Sequence, residues 1–333
     1  MKINLLIASP DAGYVQHISD VLLERHSDTF NISICSSTAH LGNMIKASKY
    51  DVALVEPAFM PAIGPDAVRM VLLLMDESAD GSDYVGTKKI RKYQRISSIA
   101  GIILEHYAEV GSGAARYDAS RAHVTAVWSP SGGAGKTTVA LAYAANRVLS
   151  GKKAVYLNLE NFSSTPLYFR EEGRSISKAF EKLESDLYIF LTGIRQQDSH
   201  SGITFFSGPE NYDDINILTA DDVEKVIDAA STDVDELIVD LSSQCDGRTK
   251  RIFDIANAVF MVTDPSSTSQ VKTKQFLSQH SIFGEIQSKL VMVNNKGART
   301  TDPGISKTIQ LPLLQSSDPV SIYKNLSGGN INW

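Results

Sequence analysis

Residues 129–138 read Ser-Pro-Ser-Gly-Gly-Ala-Gly-Lys-Thr-Thr. The stretch follows an apolar, β-type run, His123 to Trp128, and opens a helix-type run, Thr137 to Leu149, that stops at Gly151. Glycine ends helices because it turns left-handed without a Cβ clash. Strand, glycine-rich turn and helix is the context a phosphate-binding loop needs. Gly132, Gly133 and Gly135 let backbone N–H groups turn inward on a polyphosphate. The helix start adds its positive dipole end. Lys136 can reach β- and γ-phosphate oxygens, and the Thr137 hydroxyl can hold Mg2+. Ser131, Ala134 and Thr138 complete the candidate nucleotide loop. A glycine-rich turn with an accidental Lys-Thr pair is the competing reading, and the agreement of motif and context weighs against it.

Downstream runs supply candidate partners for that loop. Ala154 to Leu159 is strand-like and ends Asn158-Leu159-Glu160-Asn161. Ile203 to Phe206 is a further strand, and Ala220 to Ala230 a helix with Asp221 and Asp222 in its first turn, where acids suit the dipole. Glu236 to Leu241 is an apolar strand with Asp240 near its end, the pattern of a Walker B acid that works with Thr137 at Mg2+. Ala258 to Thr263, Lys289 to Val293 and Ile309 to Leu313 read as three more buried strands. Asn294-Asn295-Lys296 closes the second of these, and Pro312 lies in the last.

The first half alternates strand and helix patterns: strands at 2–8, 30–35, 52–55 and 70–75, helices at 15–25, 38–48 and 97–107. Short apolar runs separated by helices imply a parallel sheet covered on both faces. Val110 to Ala122, with Gly111, Ser112 and Gly113, reads as a linker. The fold expected is therefore α/β, with two doubly wound domains: 1–110, a linker at 111–122, and 123–333.

Composition narrows the function classes. The chain has 333 residues, 43% hydrophobic and 21% charged, ordinary for a globular protein. A net charge of −6 argues against a binder driven by nucleic-acid phosphates. Lys88 to Arg95 and Arg248 to Arg251 are short basic clusters that read as solvated faces. Cys35 and Cys245 have no metal-type spacing, and free thiols in a reducing compartment are expected. Apolar runs such as Val71 to Met75 fall far short of the ~20 residues a spanning helix needs. The end of the chain, Ile322 to Trp333, does not read as a basic amphipathic helix, so no direct membrane anchor is expected.

The Gly-Gly-Ala-Gly-Lys-Thr-Thr loop resembles the deviant Walker A loop of the ParA/MinD/nitrogenase iron-protein family. The resemblance implies ATP and Mg2+ as cofactors and a homodimer. In that family a signature lysine precedes the glycine pair and crosses to the partner's nucleotide; here that position is Ser131. The family's D-x-D acids, which orient water and metal, fall at Asn158 and Glu160. The resemblance thus gives Asn158, Glu160 and Asp240 the catalytic positions, and the departures imply slow hydrolysis or none. It places an adenine-contacting asparagine at Asn295 and a turn beneath the base at Pro312.

The first half is similar in order and size to a CheY-type receiver. Its phosphoacceptor position carries Glu56, the paired acids fall at Ser9 and Pro10 with Asp11 nearby, and the lysine near the fifth strand matches Lys92. That implies a degenerate receiver used for docking or dimerisation; an unrelated small α/β domain is the alternative. A degenerate receiver followed by a MinD/ParA-like ATPase resembles the CpaE/TadZ proteins of Flp (tight-adherence) pilus systems. This implies a cytoplasmic positional or assembly factor, with pilus and secretion machinery as partners and recruitment to a pole or the inner face of the membrane through them. Two other classes stay open. An active ParA-type partitioning ATPase would need a basic surface, and a P-loop enzyme acting on a small substrate would need a further cluster of Cys, His or acids.

Overall fold

The computed structural model describes residues 2–27, 29–64, 67–76, 84, 86–110, 121–184, 186–329 and 331–333. The chain divides into two compact units, residues 1–117 and 118–333.

The first unit is built on strands β1 (Ile3–Ala8), β2 (Phe30–Cys35), β3 (Tyr50–Val55), β4 (Val68–Met75) and β5 (Lys88–Arg91), in the order β2-β1-β3-β4-β5. All pairings are parallel. The central strands carry continuous apolar runs because both faces are covered. Helices α1 (Ala12–His26) and α2 (Thr38–Ala47) connect the first three strands, and α3 (Ile96–Val110) follows β5. Leu5, Ile7, Leu54 and Leu72 are fully buried. Asp11 caps α1 by accepting from Tyr14 N at 3.0 Å, which explains an acid at that position without a metal. The sequence reading missed β5. Its Lys-Lys-Ile-Arg has one apolar residue, Ile90, and that one is buried at the sheet edge. Lys88 to Arg91 is therefore an edge strand rather than only a solvated charge cluster.

The second unit holds β6 (His123–Trp128), β7 (Ala154–Asn158), β8 (Gln196–Gln197), β9 (Thr204–Phe205), β10 (Glu236–Asp240), β11 (Ala258–Thr263), β12 (Leu290–Asn294) and β13 (Lys307–Gln310). Their order is β13-β12-β11-β6-β10-β7-β9-β8, parallel except for β8 against β9. Helix α4 (Lys136–Leu149) lies in the core, with Val139 to Ala145 buried against the sheet and the helix Pro319–Ser327 packed beside it. Its small residues permit that close approach. Gly151 closes the helix at φ +78°, its N–H on the Val148 carbonyl.

One expectation is corrected. The last strand lies at Lys307–Gln310, not at Ile309 to Leu313. Leu311 N still reaches the Asn294 carbonyl, but Pro312 has no N–H and sits exposed beyond the ladder. The expected linker at 111–122 lies outside the described residues over 111–120. Its last residues belong to the second unit: Ala122 N bonds the Ser231 carbonyl, and Arg121 pairs with Asp228 at 3.1 Å. Among the described residues no helix is long and apolar enough to cross a membrane.

Candidate nucleotide site

Parallel strands bring their C-terminal ends to one edge, and the chain leaves the adjacent strands β6 and β10 in opposite directions, to β7 on one side and to β11 on the other. In open α/β sheets such a switch point forms the binding crevice. The register does the rest. Asp240 pairs across to Val127 on one side and to Asn158 on the other, and Thr263 to Asn294. The phosphate loop, Asn158, Asp240 and Asn295 therefore converge although they are far apart in sequence.

The loop has the backbone such a cradle requires. Gly133 and Gly135 have φ of +76° and +94°, the left-handed region that side chains avoid. A Cβ on Gly135 would stand 2.4 Å from Asn295 Nδ2, so the position is closed on both counts. Asn295 donates to the Ala134 carbonyl at 2.9 Å, and Lys296 Nζ to the Gly133 carbonyl at 2.7 Å. These two contacts pin the loop's outward carbonyls. Lys296 itself sits at φ +53° to reach it. Asn294 is spent elsewhere: it accepts from Thr263 and donates to the Thr300 carbonyl. Asn295 thus touches the loop, whereas Pro312 is exposed beyond β13.

Lys136 opens α4 and is 8% exposed. Its ammonium lies 3.5 Å from Glu160 Oε1 and 3.5 Å from Ser243 Oγ. Both contacts are long for a charged donor, which settles near 2.7–2.9 Å on a strong acceptor. The lysine is held in place with capacity to spare. Ser243 was not read from the sequence, because a serine after Asp240 carries no signal of its own.

Asp240 is fully buried. Its Oδ2 accepts from the Tyr156 phenol at 2.8 Å and lies 3.5 Å from Asn158 Nδ2. Its Oδ1 has no hydrogen-bond partner among the described residues. Burial raises the Asp240 pKa to about 7, helped by the Glu160 charge and opposed by the Thr137 hydroxyl, Tyr156 and Lys136. A buried carboxylate oxygen left unpartnered needs an explanation. Together with a helix start, a glycine cradle and an under-used lysine, it fits a Mg2+–nucleotide polyphosphate.

Asn158 faces inward and is 3% exposed. Nδ2 donates to the Tyr156 phenol at 3.0 Å, and Oδ1 accepts from Glu160 N at 3.0 Å. Both ends of the amide are engaged inside the protein. Ser131 is buried in the loop, its N–H on Ser129 Oγ. Gly132 and Thr138 complete the loop and the first turn of α4. Among the described residues no group of three or more His, Cys, Asp or Glu could hold a metal by itself, so Mg2+ would rest on Thr137, Asp240 and the phosphates.

No protein-family model matches the sequence, and no curated protein is similar to it by sequence search. Solved structures are similar to it over the larger part of the chain. A ParA family ATPase from Chlorobium tepidum is 21% identical, matching 63% of this chain and 93% of its own, with a TM-score of 0.49. The septum site-determining protein MinD of Pyrococcus horikoshii, complexed with Mg-ADP, is 12% identical over 62% of this chain and 94% of its own, with a TM-score of 0.46. Cobyrinic acid a,c-diamide synthase from Mycobacterium smegmatis, with bound ADP and magnesium, is 14% identical over 62% and 92%, with a TM-score of 0.45.

Proposed function

We propose that the protein is an ATP-binding, weakly or non-hydrolysing ParA/MinD-like factor, of CpaE/TadZ type, that positions or assembles a Flp-type pilus secretion machinery. The observation that carries the nucleotide part is the meeting of the left-handed glycine loop at the start of α4 with the unpartnered Oδ1 of buried Asp240. The residues that would hold the ligand are the loop N–H groups and Lys136 for phosphates, and Thr137 and Asp240 for Mg2+. Bound Mg2+ neutralises charge between the phosphates. Slow turnover follows from Ser131, which carries no charge to a partner's nucleotide, and from Asn158, whose amide is already committed.

Residues 1–110 are read as a degenerate receiver, 111–122 as the linker and 123–333 as the ATPase domain, acting as a homodimer in the cytoplasm. The strand order of the first unit is the one used by flavodoxin-like, receiver-type folds, which supports the first of these. At the C-terminal ends of β1, β3 and β5, Ser9, Glu56 and Lys92 meet: Ser9 donates to Glu56, and Lys92 pairs with it at 2.8 Å. An acceptor position filled by glutamate and already paired suits docking rather than phosphorylation. A DNA-binding role is not favoured, since Arg248 is paired with Asp246 and Arg251 with Glu224.

The test is titration calorimetry with ATP and Mg2+. Lys136→Ala should weaken binding about ten- to hundredfold, the value of a charge-assisted contact. Unchanged affinity would place the nucleotide elsewhere. Cells lacking the chain should lose surface pili; normal piliation would overturn the assembly role.

A further inference from the structure

Tyr156 is fully buried inside β7, its ring packed edge-on against Phe169 at 6.2 Å. Side chains two residues apart on a strand share a face, so Tyr156 and Asn158 point the same way, toward Asp240 on β10. Hydrogen bonding runs in one direction. Asn158 Nδ2 donates to the Tyr156 oxygen at 3.0 Å, and the phenol donates to Asp240 Oδ2 at 2.8 Å. Resting on the reading of the site as a Mg2+–nucleotide site, we propose that Tyr156 is the positioning residue for Asp240: it occupies Oδ2 and so fixes Oδ1 as the oxygen turned to the metal side.

An aliphatic residue at position 156 would leave Oδ2 with only the long 3.5 Å contact from Asn158 Nδ2, and the carboxylate less firmly held. The same chain explains the amide at position 158. The phenol has spent its proton on Asp240 and can only accept, so its neighbour must donate. A carboxylate at 158 would meet both a lone pair and the Asp240 charge. Asn158 and Tyr156 therefore act as a matched pair: a carboxylate is given up at 158 and a rigid Asp240 is obtained. Oδ1 without a partner is what this arrangement leaves behind.

The experiment compares ATP affinity of the full chain in excess Mg2+ and in chelator; the ratio is the Mg2+-dependent gain. Tyr156→Phe should lower that gain about tenfold or more, the effect of losing a hydrogen bond to a charged group, while affinity in chelator moves less than about twofold. Tyr143→Phe removes another buried phenol, on α4, and should leave the gain unchanged, which separates positioning from general loosening of the core. If wild type binds ATP with a Mg2+-dependent gain and Tyr156→Phe keeps it within about twofold, the inference is overturned and the nucleotide site stands. If wild type binds no ATP, both fail. If it binds ATP with no gain from Mg2+, the positioning role fails alone. Should Tyr156→Phe not fold, Asn158→Ala keeps the ring and frees the phenol; it should cost about threefold of the gain, and no loss would overturn the inference.

Discussion

The side-chain amide of Asn295, just beyond β12, donates a 2.9 Å hydrogen bond to the carbonyl of Ala134 in the phosphate loop. Gly135, the next residue, leaves room for that amide: a Cβ there would lie 2.4 Å from Asn295 Nδ2. Gly135→Ala should therefore abolish nucleotide binding in calorimetry, since both the +94° φ and the space are lost. Asn295→Ala removes one loop contact and should weaken binding only about three- to tenfold, the effect of a single hydrogen bond. Equal effects of the two changes would refute this division.

Asp240 gives the protein a defined pH dependence. Burial, then Glu160, raise its folded-state pKa from 3.8 to about 7. The folded state therefore holds the proton more tightly than the unfolded chain, and stability from this group is complete below the unfolded value and lost as pH rises through about 7. Asp240→Asn removes that loss. Relative to wild type, its unfolding midpoint should rise at about pH 8 by the equivalent of on the order of 3 kcal/mol, with a much smaller difference at about pH 4. Parallel melting profiles across this range would show that the carboxylate is not perturbed.

Turnover should be slow. Charge delivered to a transferring phosphoryl group is worth about 10³–10⁵ in rate, and buried Ser131 delivers none. ATP bound preferentially by one state then acts by shifting populations. Purified protein should hydrolyse ATP well below about 1 s⁻¹. A rate at or above that, without a partner, would favour an active partitioning ATPase.

The first unit should refuse phosphate. Lys92 is buried against Glu56, with the Tyr14 and Tyr93 rings each 5.0 Å from its ammonium. Burial works against the lysine's charge, but Glu56 and Tyr93 together outweigh it and its pKa is raised. Incubation with a small phosphodonor and Mg2+ should leave the mass of residues 1–110 unchanged. Lys92→Met strands Glu56 and should destabilise this unit by about 3 kcal/mol in thermal unfolding. Stoichiometric phosphorylation, or a neutral Lys92→Met, would contradict this account.

Much of the sheet scaffold was legible because buried parallel strands are uninterrupted apolar runs. His123 to Trp128 and Ala258 to Thr263 match the observed strands in both ends. Where burial is one-sided or the element is short, the pattern fades. β5 has a single apolar residue, and β8 and β9 have two residues each. Two of the helices between β7 and β9, Thr165–Tyr168 and Ser177–Phe180, are only four residues long and were likewise not read.

The sequence by itself determined the phosphate loop, because glycine spacing and the strand-to-helix change are local properties of the backbone. It also placed Asp240 at a strand end. Only the tertiary structure decided what these groups face. Tyr156 reads as one more apolar strand residue, yet the register of β7 on β10 aims its phenol at Asp240. Asn158 reads as a polar residue at a strand end, yet both ends of its amide are consumed within the protein. Hydrogen-bond direction between strands depends on pairing and register, which couple residues 84 positions apart and leave no trace in the local sequence.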